Sequence, residues 1–208
     1  MATIAVIGAT GRTGRALVER ALETGHHVTA IARRPEALGL RHARLTPRAA
    51  DVLRPGDLAA ALPGHDAVVS AIGSTGRGLT TVYSAGTAAV VEAMGACRRL
   101  VVVSSAGLET PPGAGPATRL AGRLLHHVMR HPYADMLRME RLLAGTDLDW
   151  TAVRPTGLTD APATGRPRVS VGATERVGNR TSRAELAAYI LDHLDDPATY
   201  RTAVAISS

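Results

Sequence analysis

The first fourteen residues constrain this chain more than any other stretch. A short apolar run, Ile4 to Ile7, leads straight into Gly8-x-x-Gly11-x-x-Gly14, and helical periodicity begins at once. A strand that restarts immediately as a helix must reverse tightly, which Gly8 permits. Gly11 removes the side chain that would hold a pyrophosphate away from the backbone, and Gly14 lets the helix close on the strand. The first helical N–H groups and the positive end of the helix dipole then face an anion. The reading is a dinucleotide-binding turn; the plain alternative is a tight structural turn.

The rest of the chain repeats the alternation. Arg12 to Thr24 reads as a helix with Leu17, Val18, Ala21 and Leu22 on one face, and Gly25 ends it. His27 to Ala32 reads as a strand, residues 36–40 as a short helix and 43–46 as a weak strand. A helix is expected from Pro55 to Leu62, stopped by Pro63-Gly64. Asp66 to Ile72 and Leu100 to Val103 are apolar strands on either side of an Ala-rich helix, Thr81 to Gly95. Residues 109–118 read as a Pro- and Gly-rich mobile loop, 134–143 as a helix and 150–153 as a strand. Residues 155–181 look loop-rich, with a short strand near Val169. A last helix carries Leu186, Ile190, Leu191 and Leu194, and Ala203 to Ile206 reads as a final edge strand. Strands apolar on both faces, separated by helices, specify a mostly parallel, doubly wound α/β sheet. No repeat or linker divides residues 1–208, so one domain is expected.

Composition excludes several classes. A hydrophobic content of 45% argues for a globular chain. No apolar run reaches the ~18 residues of a membrane span, and no basic leader precedes the first strand, so a cytoplasmic protein without a membrane partner is expected. A single cysteine, Cys97, leaves no internal disulfide and no cysteine cluster for metal. His126, His127 and His131 lack companion carboxylates in a ligand pattern, so no metal is expected. The net charge is +6, yet the basic residues are scattered and only 2% of the chain is aromatic, which disfavours nucleic acid. All 24 basic residues are arginine. Without lysine, neither a Schiff base nor a Tyr-x-x-x-Lys proton relay can form.

Ligands of such sheets bind at the carboxyl ends of the strands. After the second strand stand Arg33 and Arg34, where an acid would suit the ribose hydroxyl of NAD. Arginine, with Arg12 nearby in the turn, instead complements a 2′-phosphate, unless both are simply exposed surface residues. Asp51-Val52 offers a carboxylate to an adenine amino group or is an ordinary loop. Gly73, in Ala71-Ile72-Gly73, permits close approach of a cofactor. Ser104 and Ser105 offer hydroxyls to a nicotinamide or a substrate carbonyl, or are plain loop serines. Tyr133 opens the helix that borders such a site. With no lysine partner it is a poor base, able to donate a proton or orient a carbonyl, or it is a packed residue. Trp150 and Cys97 read as core, Met129, Met136 and Met139 as core or else an adaptable apolar wall for a flat substrate, and His26 and His27 as structural.

Gly-Ala-Thr-Gly-Arg-Thr-Gly, Ala-Arg-Arg-Pro, Asp51-Val52, Asp66-Ala-Val-Val, Val-Val-Val-Ser-Ser-Ala and Asp149-Trp-Thr-Ala-Val-Arg-Pro together resemble the atypical short-chain dehydrogenase/reductases. Among these the chain is most similar to small NAD(P)H-binding proteins that include the flavin/biliverdin-IXβ reductases. The resemblance covers nearly the whole length. It implies a Rossmann-type domain, NADP(H), and hydride transfer to a flavin, quinone or tetrapyrrole. It assigns cofactor contacts to Gly8, Thr10, Gly11, Arg12, Thr13, Arg33, Asp51, Val52, Gly73, Ser104 and Pro155, and turns Ser105 to the nicotinamide. Two departures stand out: Gly157 replaces a histidine of the flavin/biliverdin reductases, and Met136 replaces a lysine of many relatives.

The expected activity is NADPH-dependent reduction of a flat, conjugated, largely apolar acceptor: a flavin, quinone or polycyclic enone. Loops 107–118 and 156–168 would wall the substrate cleft. Two alternatives stay open: a non-redox tailoring enzyme of secondary metabolism, catalysing cyclisation, isomerisation or dehydration, and a non-catalytic NADP(H)-sensing regulator. Monomer and homodimer are both compatible with the sequence.

Overall fold

Gly8 takes φ +78°, and a Cβ there would lie 2.7 Å from the Ala71 carbonyl oxygen. That one left-handed residue joins β1 (Thr3–Ile7) to α1 (Arg12–Glu23). The computed structural model describes every residue except 55, 110–114, 174 and 176, and no side chains for 117, 118 and 121. After α1 the chain forms β2 (His27–Ala32), β3 (Leu45–Ala49), β4 (Ala67–Ser70), α2 (Val82–Ala93) and β5 (Arg99–Val103). It continues with α3 (Pro116–Val128), α4 (Arg130–Ala144), β6 (Asp149–Pro155), β7 (Gly157–Thr159) and β8 (Arg168–Val171). It ends with β9 (Arg180–Ser182), α5 (Arg183–Asp192) and β10 (Thr202–Ser207).

Eight strands make one sheet in the order β3-β2-β1-β4-β5-β6-β10-β8. Every neighbouring pair is parallel except β10–β8. β7 and β9 pair separately. The expected doubly wound, mostly parallel domain is therefore the fold, and the Rossmann-type order reverses between β1 and β4. That reversal opens a crevice at the carboxyl ends of these two strands.

Residue alternation builds the two layers. Ile4 and Val6 of β1 enter a core with Leu17, Val18 and Ala21 of α1 and Leu186 and Ile190 of α5. Ala5 and Ile7 enter the opposite core, with Tyr83 and Val90 of α2 and Tyr133, Met136 and Met139 of α4. At about 25 cal/mol per Å² of apolar surface, these two layers are the main source of stability. Cys97 and Trp150 belong to the second core, as their composition suggested. Burial also pushes the Cys97 thiol above its ordinary pKa, which suits an inert packed residue.

Four sequence expectations change. No helix forms across 56–62: Gly56, at φ +87°, leaves the helical region, and the segment becomes a run of turns that still buries Leu58 and Leu62. Pro55 lies outside the described residues, as do 110–114 of the expected mobile loop. The end of that loop is the first turn of α3, a helix the apolar pattern did not suggest. β10 is not an edge strand, because Val169 and Val171 of β8 pair antiparallel with Ile206 and Val204 and take the edge themselves. The loop-rich stretch 155–181 holds three strands rather than one.

Candidate functional site

A cleft of about 980 Å³ lies along the carboxyl ends of β1, β2, β3 and β4. Its floor is the glycine turn: Gly8, Thr10, Gly11, Arg12 and Thr13. Gly11 is the N-cap of α1, without a side-chain cap, and no acidic residue occupies the first turn. The uncapped N–H groups and the dipole therefore remain available to an anion. Gly14 stands behind the turn: a Cβ there would sit 2.1 Å from the Gly8 carbonyl oxygen, so α1 could not approach with any other residue.

The structure brings most of the expected cofactor residues to this one place. Arg33, Asp51, Val52, Ala71, Ile72 and Gly73 all line the cleft. A Cβ on Gly73 would meet nothing within 4 Å, so this glycine faces open space as a close-approach position requires. Arg33 is exposed and free to reach a ligand, whereas Arg34, outside the lining, precedes a short 3₁₀ turn over Pro35–Leu38. Asp51 Oδ1 accepts from the Leu53 N–H at 3.0 Å, so that carboxylate also orders its own loop. Val52 packs beneath Gly86 of α2, where a Cβ would approach its Cγ2 to 3.0 Å.

Ser104, Ser105, Tyr133 and Pro155 form a second group, outside the lining of the glycine-turn cleft. Ser104 donates to Glu140 Oε1 at 2.6 Å. Glu140 also accepts from Arg154 Nε at 3.1 Å and Nη2 at 2.5 Å, and Arg154 pairs with Glu109 at 3.1 Å. Burial opposes the Arg154 charge, but the two glutamates outweigh it and hold the guanidinium above its ordinary pKa. Pro155 is buried at the end of β6 beside this network.

Ser105 and Tyr133 do meet, as two residues 28 positions apart. Their hydroxyls are 3.5 Å apart, and Ser105 Oγ accepts from the Gly107 N–H at 3.1 Å. Only glycine fits at 107, because a Cβ would fall 2.2 Å from Tyr133 Oη. The position four residues beyond Tyr133 is Leu137, so the Tyr-x-x-x-Lys relay is absent. Met136 is buried in the second core and outside the cleft lining, so its apolar character serves packing there. Gly157 is exposed, and its N–H donates to the Asn179 carbonyl at 3.1 Å.

Sequence reasoning missed Arg183. It opens α5, lines the cleft opposite the glycine turn and is 8% exposed. It donates to Asp160 Oδ1 at 2.6 Å, while Asp160 Oδ2 accepts from Arg12 at 3.2 Å. One carboxylate thus bridges the turn to α5, and Arg183 Nε is left buried without a hydrogen-bond partner. The Ser182 cap of α5, which accepts from the Glu185 N–H at 2.9 Å, is the one signal that could have drawn attention to the position. Among the described residues, no group of three or more His, Cys, Asp or Glu is placed to hold a metal ion.

Residues 8–197 match the family of NAD(P)H-binding proteins. The chain belongs to that family. Solved structures agree on the fold of this NAD(P)H-binding protein. An oxidoreductase from Lactococcus lactis superposes with a TM-score of 0.82 at 21% identity, covering 99% of this chain and 90% of the other. A provisionally named NADH-flavin reductase from Streptococcus pneumoniae gives 0.77 at 22% identity, with 100% of both chains covered. A provisionally named epimerase from Bacteroides thetaiotaomicron gives 0.76 at 24% identity, covering 99% and 96%. The chain is thus an NAD(P)H-binding protein with a Rossmann-type fold. The residues fit a dinucleotide: the turn offers uncapped donors, Gly73 leaves room, and Arg183 brings an unpartnered nitrogen to the cleft.

Proposed function

We propose that this protein is an NADPH-dependent reductase acting on a flat, conjugated, largely apolar acceptor such as a flavin, quinone or polycyclic enone. The observation that carries the reading is the cleft itself. Uncapped N–H donors at Arg12 and Thr13, an exposed arginine after β2 and an open glycine after β4 face one space. The turn would hold the pyrophosphate, Arg33 the 2′-phosphate and Gly73 the approach of the ribose-nicotinamide half. Arg183, whose Nη1 holds Asp160 beside the turn, would exchange that carboxylate for a phosphate oxygen. A bound nicotinamide supplies the hydride; the chain supplies position and exclusion of water.

The acceptor class follows from what the site lacks. No Tyr–Lys pair exists, and Tyr133 has only Ser105 as a polar neighbour on its hydroxyl among the described contacts. A small ketone needs a proton at its oxygen as the hydride arrives. A flavin or quinone spreads the new charge over its rings and takes its proton from water.

Loss of NADPH absorbance against a panel of flavins, quinones, enones and small aldehydes tests this. Flat acceptors should exceed small aldehydes by at least about a hundredfold in kcat/KM, a difference of roughly 2.7 kcal/mol. Efficient turnover of a small polar carbonyl would overturn the acceptor class. Tight NADPH binding with no turnover of any acceptor would favour a cofactor-sensing role, and conversion without net NADPH loss a non-redox tailoring enzyme.

A further inference from the structure

We propose that α3 is a docking surface for an anionic lipid bilayer. The helix is amphipathic and faces outward with its apolar side. Leu120, Leu124 and Val128 recur every four residues, which sets them in one stripe, and they are 70%, 65% and 37% exposed. Leu125, 44% exposed, widens the stripe. The inward side is made of Gly122, His126 and the helix-ending Met129, which are only half-buried. His126 meets the Tyr133 ring edge-on at 5.3 Å, and Leu125 Cδ2 lies 3.3 Å from where a Cβ on Gly107 would be. These contacts fix the helix on the body and leave Leu120 and Leu124 largely exposed.

The charge around the stripe selects the occupant. Arg119, Arg123, His127 and Arg130 are exposed along the same segment. No aspartate or glutamate occurs from residue 110 to residue 134. A second copy of this chain docked symmetrically would press that positive flank against itself with no local carboxylate to pair. A neutral apolar partner would leave the arginines desolvated and unpaired. An anionic bilayer suits both sides: leucines enter the boundary between headgroups and acyl chains, while arginines reach up to the phosphates. A helix of 13 residues, about 20 Å long, lies in that boundary and cannot cross it. No described helix is long and apolar enough to cross a membrane.

Flotation with lipid vesicles tests the proposal on the full chain, with circular dichroism melts of each variant as the check on folding. The protein should float with vesicles containing about one-quarter phosphatidylglycerol in phosphatidylcholine and remain behind with phosphatidylcholine alone. Raising the salt should release it. Leu120→Ser with Leu124→Ser, and separately Arg119→Glu with Arg123→Glu, should each lower the vesicle-bound to free ratio at least about tenfold. Absence of flotation on anionic vesicles overturns the proposal. So does flotation that either folded double variant leaves unchanged. A dimer seen by sedimentation and dissolved by the leucine pair would assign the surface to a second copy instead.

Discussion

Arg33 is the single side chain on which the proposed NADPH preference rests. It is exposed, lines the cleft and follows directly on the last residue of β2. A charge-assisted contact to a 2′-phosphate contributes about 1.5–3 kcal/mol, so Arg33→Ala should weaken NADPH roughly 10- to 150-fold and leave NADH within about twofold. Calorimetric titration with both cofactors reads this; equal losses would reject the assignment. Under the proposed function, Ser105 serves the chemistry rather than binding. Ser105→Ala removes the acceptor for the Gly107 N–H and the hydroxyl facing Tyr133, so kcat should fall by about tenfold or more while NADPH affinity holds. An unchanged kcat would return Ser105 to a turn-forming role. At this scale the glycines, Arg33, Asp51 and Gly73 were legible because each must sit at a strand end or a tight turn. Arg183 was not, because its importance arises from meeting Asp160 and the glycine turn across the sheet. No local pattern encodes that meeting. Ser104 shows the converse: its position was legible, and its partner Glu140, 36 residues away, was not.

Between elements, one carboxylate joins two helices. Asp135 of α4 is fully buried and accepts from the Tyr83 N–H at 2.9 Å, the Ser84 N–H at 3.4 Å and the Ser84 hydroxyl, with Arg138 at 3.2 Å. The cap residue Thr81 supplies no side-chain bond of its own, so α2 is capped from α4. Asp135→Ala leaves the Tyr83 and Ser84 N–H groups and the half-buried Ser84 hydroxyl without this acceptor. It should lower stability by about 2–4 kcal/mol in urea melts. Asp135→Asn keeps one acceptor and should recover part of that loss. A cost below about 0.5 kcal/mol for alanine would show that water or Arg138 rearranges to replace the cap. Elements were legible where a strand is buried on both faces, as in β1, β4 and β5. They were not legible where tertiary context decides. Gly56 breaks the helix expected from Pro55 to Leu62. α3 escaped notice because its leucines do not point to a core. β8 captured the sheet edge by pairing with β10, a non-local event that alternation along the chain does not announce.

The molecule as a whole is a sheet between two apolar layers, and the α5 side of it carries a titrating group that reports on global stability. Tyr189 is 6% exposed in the core of α1 and α5, stacked on His193 at a ring distance of 4.2 Å. Burial is the main reason its phenol is pushed up to about 12, with the Asp196 charge adding to it and Arg99 opposing it. An unfolded tyrosine loses its proton near ~10. Below that pH both states hold the proton and Tyr189 contributes no pH dependence. Between the two values the unfolded chain is ionised and the native one is not, so the unfolded state binds fewer protons. Stability must then fall as the pH rises, by up to about 2–3 kcal/mol over the window. The native charge balance works in the same direction only weakly, since every basic residue is an arginine and stays protonated there. Urea melts of the wild type from pH 8 to about 11.5 should show a flat region followed by a decline that begins near pH 10. Tyr189→Phe should remove most of that decline while retaining stability near pH 8, because the ring and its stacking survive. Parallel declines in the two proteins would mean that another group, with Tyr83, Tyr133 and Tyr200 as the remaining phenols, sets the alkaline limit.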